Sequence, residues 1–218
     1  MRLVPVRAMT RSLAMSAHST TGGAAAFGGS VGIIGGGIAG LSCASKLEAL
    51  GVKCTVYDTG KKGVGGRASS RTMADVSHGV DHAAQFFVAT TPSFQQQVDD
   101  WMSAGVVAEW PSERVGRVSA AGEFVPFDDG TPRYIGSPAR GLGSVAASMA
   151  ASLATPPETD VWVSPSNGLK RNADGTWDVK VNGKVIGNHD ACVIAHNGKC
   201  AERITSKTPA KAVNRLLR

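Results

Sequence analysis

Three glycines, Gly35, Gly37 and Gly40, stand at G-x-G-x-x-G spacing directly after an apolar run, Val31 to Ile34. Such a turn can hold a pyrophosphate by its backbone. Gly35 permits a tight exit from a strand, Gly37 lets a phosphate approach the main chain, and Gly40 allows close packing of the following helix on a sheet. The chemistry is anion binding: free N–H groups and the positive end of a helix dipole face the phosphates. Asp58 lies 18 residues beyond Gly40. An acid there accepts hydrogen bonds from an adenosine ribose and repels a 2′-phosphate, which excludes NADP as the expected ligand.

The elements that must position these residues are legible around them. Ile38, Leu41, Ala44, Leu47 and Leu50 recur every three residues and predict a helix with one apolar face. Gly51 is its expected stop. A second strand is predicted over Cys54 to Tyr57, ending at Asp58. Strand, glycine turn, helix, strand and acid together make a stronger signal than the glycines alone.

A further motif, Gly65-Gly66-Arg67, follows the acid. With it the chain resembles the FAD-dependent amine oxidase and renalase-like family of flavoproteins, in which the Arg of G-G-R helps hold the FAD phosphates. The resemblance continues through Val80-Asp81-His82-Ala83-Ala84-Gln85-Phe86-Phe87, which is similar to the family's D-H-G-A-Q-Y-F segment beside the flavin. Ala83 stands where the family usually has Gly. The resemblance implies a cofactor-binding set of Gly35, Gly37, Ile38, Ala39, Gly40, Asp58, Gly66, Arg67, Gln85 and Phe86, with FAD as cofactor. Asp81-His82 is not read as a catalytic dyad, because adjacent residues on a strand face opposite sides.

Phe94 to Trp110 is similar to the family's helix, Gly105 stop and strand; Phe94, Val98, Trp101 and Met102 form a stripe expected in a core. Arg133 to Gly136 reads as a strand and residues 142–153 as a return helix. Asp190 to Lys199 resembles the third strand of the FAD domain, worded most like the plant and algal branch, with His196 as a strand-end loop residue. Asp174-Gly175 and Asn182-Gly183 frame Thr176 to Val181 as a hairpin.

The expected fold class is α/β, a discontinuous Rossmann-like FAD-binding fold with an antiparallel β substrate-domain insertion, incomplete. The expected organisation is a tail over 1–30, the FAD-binding region over 31–90 and 141–200, the insertion over 91–140, and a basic C-terminal segment over 201–218. Relatives are longer, so the chain is expected to be the N-terminal part of such a flavoprotein, as a short isoform, a truncated gene model or a reduced homologue. Leu216 and Leu217 are then expected to lack their packing.

The net charge is +6. Residues 1–30 hold three Arg and no acid, and residues 199–218 hold six basic groups against Glu202, so the excess sits at the two ends. That distribution, without an aromatic-studded basic motif, argues against nucleic acid as a partner. Cys43, Cys54, Cys192 and Cys200 have no C-x-x-C spacing, which disfavours a zinc site; Cys43 and Cys54 read as buried thiols. No C-x-x-x-x-C follows the first glycines, which disfavours the disulfide-reductase branch. Four cysteines in a chain without a secretory signal fit a reducing compartment.

Residues 1–30 have the composition of an organelle transit peptide or of a disordered tail, with plastid favoured over mitochondrion. No stretch of about 20 apolar residues predicts a membrane span.

The function expected from the resemblance is FAD-dependent oxidation of a small-molecule substrate, an amine or dihydronicotinamide-like, by hydride transfer to the flavin. No catalytic residue is singled out. Two other readings stand beside it: a non-catalytic dinucleotide-binding or interaction protein, and an NAD-dependent dehydrogenase, for which Gly65-Gly66-Arg67 and the Gln85 segment would have no use. Oligomeric state is left open.

Overall fold

The computed structural model describes residues 28–217; the transit-peptide-like composition of residues 1–27 lies outside them. A parallel sheet forms the centre. Strand β1 (Ser30–Ile34) exits through the glycine turn into helix α1 (Ile38–Ala49), and the chain returns as β2 (Lys53–Tyr57). After short strands β3 (Ser70–Arg71) and β4 (Val80–Asp81) come α2 (Pro92–Ser103), β5 (Val107–Glu109), β6 (Gly116–Val118), β7 (Phe124–Pro126) and β8 (Tyr134–Gly136). Helix α3 (Gly143–Ala151) leads to the meander β9 (Leu169–Arg171), β10 (Trp177–Val181) and β11 (Lys184–His189). Strand β12 (Ala191–Ile194) and helices α4 (Gly198–Thr205) and α5 (Lys211–Leu216) follow.

The sheet order is β12-β1-β2, with both pairings parallel. Buried on both faces, β1 is a continuous apolar run rather than an alternating one. On one face Ile33, Val56, Leu41, Ala44 and Ala146 join α1 and α3 to the sheet. On the other, Ile34 and Tyr57 meet Val163, Leu169, Val179 and Ile204. A third cluster, Val98, Val107, Tyr134, Leu142 and Val145, seats α2 and the β5–β8 pair.

The first predicted helix is present, and Gly51 adopts φ +78 at its end. Its apolar face stops one residue short of expectation. Leu50 is 63 % exposed, because the chain leaves the helix at that residue and the Leu50–Gly51 turn carries its side chain off the sheet. Of the α2 stripe, Val98 is fully buried and Trp101 half-buried, while Phe94 and Met102 are exposed. This helix covers only a small layer, too narrow to bury four side chains. Cys54 is buried as expected, whereas Cys43 is half-buried.

The hairpin expected at Thr176 to Val181 is β10–β11, turned by Asn182 and Gly183, both at positive φ, with β9 added as a third antiparallel strand. The basic C-terminal segment forms α5, fastened to α4 by the buried Asn214, whose amide donates to the Glu202 carbonyl (2.8 Å) and to Thr205 (3.0 Å). Leu216 is 87 % exposed, as expected; Leu217 instead lies half-buried against a cleft beside α4. Among the described residues no helix is long and apolar enough to cross a membrane.

Candidate functional site

The turn at Gly35–Gly37 opens at the carboxyl edge of the parallel sheet, where ligands bind in open α/β folds. The protein's own packing requires glycine at three of the four positions Gly35, Gly36, Gly37 and Gly40. Gly35 holds φ +113, and the His196 ring occupies the space its side chain would need, with Cδ2 2.8 Å from the Cβ position. A side chain on Gly36 would run into Val64 and Asp58 (2.8 and 2.9 Å). One on Gly40 would collide with the Gly35 carbonyl, so Gly40 sets how closely α1 docks on the turn. Gly37 differs. Its backbone is ordinary (φ −72, ψ 176), and a Cβ would meet nothing closer than the Gly65 carbonyl oxygen at 3.9 Å. Nothing in the protein's own packing calls for glycine there; the open surface lies at the N-cap of α1. That helix start has no side-chain cap and no acid in its first turn, so its first amides face outward unneutralised.

Asp58, at the end of β2, is drawn into the turn. Its carboxylate accepts from the Gly36 amide (2.6 Å) and from the Gly60 amide (2.7 Å). Each oxygen retains a free lone pair, so the group can take a ribose hydroxyl as well. Gly35 in turn donates to the Tyr57 carbonyl (2.8 Å).

The G-G-R segment comes to the same edge. The Gly65 amide donates to the Gly36 carbonyl (2.8 Å), and Gly37 and Gly65 form a parallel bridge. Gly65 and Gly66 hold φ +127 and +56, and Ala146 of α3 presses against Gly65 (3.1 Å to its Cβ position). Arg67, in the 3₁₀ turn Gly66–Ala68, is exposed, and its guanidinium has no hydrogen-bond partner among the described residues. Its carbonyl accepts from the Ala84 amide (3.1 Å), which sets the Gln85 segment next to the G-G-R turn. Gln85 is exposed there, and Ile38 and Ala39 form the first turn of α1. Phe86 is engaged by other partners: its ring stands edge-on to Trp110 (centroids 6.1 Å apart), with the Arg133 guanidinium 5.7 Å from it.

Asp81 and His82 form no dyad. Asp81 accepts from the Ser70 hydroxyl (2.5 Å) and the Leu142 amide (2.9 Å), and Ser70 accepts from the Gly143 amide (2.8 Å). This network ties β3 and β4 to the start of α3, while His82 points to solvent. The spacing of Ser70, Asp81 and Leu142 carries no local signal of it.

Two features were not legible as site features. His196 follows β12 and lines a cleft of about 280 Å³ with Ile34, Tyr57, Thr59, Trp162 and Arg203. Its Nδ1 is buried without a partner, and burial lowers its pKa, with nearby Asp58 opposing. Arg133, only 8 % exposed, lies over the Phe127 ring (4.2 Å) and binds Asp129 through two nitrogens (3.1 and 2.7 Å), fastening the loop beside Phe86. Arg133 holds the exposed Asp129 carboxyl down at about 2.

A family model described as NAD(P)-binding Rossmann-like domain matches residues 33–103. The structure is similar to a conjugated-linoleic-acid-producing fatty acid isomerase from P. acnes (14 % identity, TM-score 0.57), covering 82 % of this chain and 60 % of that one. It is also similar to putrescine oxidase, solved with bound putrescine (14 % identity, TM-score 0.58), covering 81 % of this chain and 60 % of that one. The chain thus spans about 60 % of the length of these proteins. At such identities the likeness is one of fold: an α/β chain with a Rossmann-like domain, its glycine turn, Asp58 and G-G-R segment gathered at one sheet edge.

Proposed function

We propose that the chain binds FAD along the edge formed by Gly35–Gly40, Asp58, Gly65–Arg67 and Gln85, and serves flavin-dependent oxidation of a small reduced substrate. The observation that carries this reading is Gly37: a glycine that no contact or backbone angle requires, at an uncapped helix start, leaves room that a pyrophosphate fills. The match to an NAD(P)-binding Rossmann-like model supports a dinucleotide in general. The resemblance of Gly65-Gly66-Arg67 and the Gln85 segment to the amine oxidase and renalase-like flavoproteins favours FAD over NAD.

In this reading α1's first amides and Arg67 hold the phosphates, Asp58 holds the ribose, and Gln85 lies toward the ring end. A bound flavin supplies the redox chemistry itself. The chain's own contribution is orientation and charge: a cationic edge at Arg67, an anionic one at Asp58, and apolar walls from Ile34 and Val161 at the neighbouring cleft. An amine or a dihydronicotinamide-like compound is the substrate class the resemblance favours. The non-catalytic alternative predicts weak or no FAD retention, or bound FAD that no candidate substrate reduces.

The test is the visible absorption spectrum of the full chain, purified with and without added FAD. Flavin bands that stay with the protein through gel filtration support the reading. A colourless protein indifferent to FAD overturns it, and retention of NAD in its place supports the dehydrogenase alternative.

A further inference from the structure

Beneath the glycine turn, on the sheet face away from α1, two polar side chains meet in an apolar setting. The Tyr57 hydroxyl and His189 Nε2 are hydrogen-bonded at 2.9 Å, with the rings edge to face and centroids 5.8 Å apart. Both residues are buried, Tyr57 on β2 and His189 at the end of β11. The pair therefore joins the β9–β11 meander to the parallel sheet.

Room for it is made by two further glycines. A side chain on Gly32 of β1 would lie 2.6 Å from His189 Cδ2, and one on Gly187 of β11 would collide with the Tyr57 hydroxyl. His189 Nδ1 is buried with no partner, so the bond to Tyr57 is the only hydrogen bond the imidazole makes among the described residues. Burial disfavours the charged form of both groups, raising Tyr57 to about 12 and lowering His189, with Asp190 opposing the latter. A fold that needed only apolar filler here would not need a polar pair and two glycines to admit it.

Tyr57 is also the residue on which the turn hangs. Its carbonyl accepts from Gly35, and Asp58, next in the chain, accepts from Gly36. We propose that Tyr57 and His189 are a positioning pair: the hydroxyl–imidazole bond fixes the end of β2, and through it the Gly35–Gly36 backbone, in the geometry that receives the dinucleotide phosphates. The role assigned to the pair is positional, and it rests on the reading of that turn as the nucleotide cradle.

The test uses the full chain with two variants, Tyr57→Phe and the double variant Tyr57→Phe/His189→Leu. Three measurements are made on each: amide hydrogen exchange at Gly35 and Gly36 against Val31 and Ile33 in β1, thermal midpoint, and FAD affinity by titration. Tyr57→Phe is expected to speed exchange at Gly35 and Gly36 relative to Val31 and Ile33 by about tenfold, the loss of one buried hydrogen bond. FAD affinity should weaken by a similar factor. The double variant removes both polar partners and should recover the thermal midpoint, because no buried group is then orphaned. It should not recover protection at Gly35 and Gly36. A uniform rise at all four amides, or a double variant that restores turn protection together with the midpoint, overturns the proposal and leaves the pair a packing contact. Wild-type protein that takes up no FAD while the selective exchange pattern holds would sink the cofactor reading and keep the positioning role.

Discussion

The Gly65 amide donates to the Gly36 carbonyl at 2.8 Å, joining two glycine segments about thirty residues apart in the chain. This bond turns two separate motifs into one surface. It places the Gly66–Ala68 turn beside the start of α1; in the proposed reading the helix dipole and the Arg67 guanidinium then act on the same phosphates.

Gly37 and Gly40 should separate ligand binding from folding. Gly37→Val puts a side chain into open space and is expected to change stability by no more than about 1 kcal/mol, the scale of an N-cap replacement. It should abolish FAD retention. Gly40→Ala drives a methyl into the Gly35 carbonyl and should destabilise by about 1–3 kcal/mol. Thermal melts and FAD titration on both variants check this; a Gly37→Val protein that still retains FAD places the phosphates elsewhere.

Asp58→Ala should do two things at once. It removes the proposed ribose acceptor and leaves the Gly36 and Gly60 amides without their partner. Stability is expected to fall by about 1–3 kcal/mol and FAD affinity by at least tenfold. Urea denaturation and equilibrium titration measure the two separately, and unchanged affinity removes Asp58 from the ribose.

Arg67→Ala is expected to leave the melting temperature within about 1 °C, since an exposed side chain with no partner contributes little to folding. The same change should weaken FAD by about tenfold at low salt, and by less at high salt, where phosphate–guanidinium attraction is screened. Titration at two ionic strengths reads the difference.

Burial holds the folded pKa values of His189 and His196 below the ordinary 6.5. Below that pH the unfolded chain binds protons that the folded chain refuses, so stability falls as the pH drops from 6.5 toward the folded values. Above 6.5 the two residues add no pH dependence. A second loss is expected at lower pH, where Asp129, Asp174 and Asp178 have folded pKa values below the ordinary carboxylate value and lose their stabilising charge as they protonate. Urea midpoints between pH 8 and 5 should show the first decline, and His189→Leu in the Tyr57→Phe background should make it shallower, leaving the share of His196.

Local pattern was enough to locate the first half of the candidate site. An apolar run, glycines at set spacing, a three-residue apolar repeat and an acid after the second strand are all encoded within thirty residues, because a βαβ unit is built from neighbours in the chain. The Asn182-Gly183 hairpin and the Gly105 stop were legible for the same reason: positive φ selects glycine and asparagine locally. Side-chain burial was less legible, as Leu50, Phe94 and Met102 show, since a helix's periodicity does not reveal how wide a surface it covers.

What only the tertiary structure decided are the contacts between distant segments. The Gly36–Gly65 bond, the Ser70–Asp81–Leu142 network, the Tyr57–His189 pair and the packing of His196 against Gly35 join residues from about ten to more than a hundred and thirty positions apart. Spacing along the chain carries no signal for such pairs; they arise when the parallel sheet, α3 and the β9–β11 meander close on one another. The amino-acid sequence by itself determined that the chain has a nucleotide-type turn, because the conformational needs of glycine are local. Which side chains brace that turn depended on the fold, because packing brings them there.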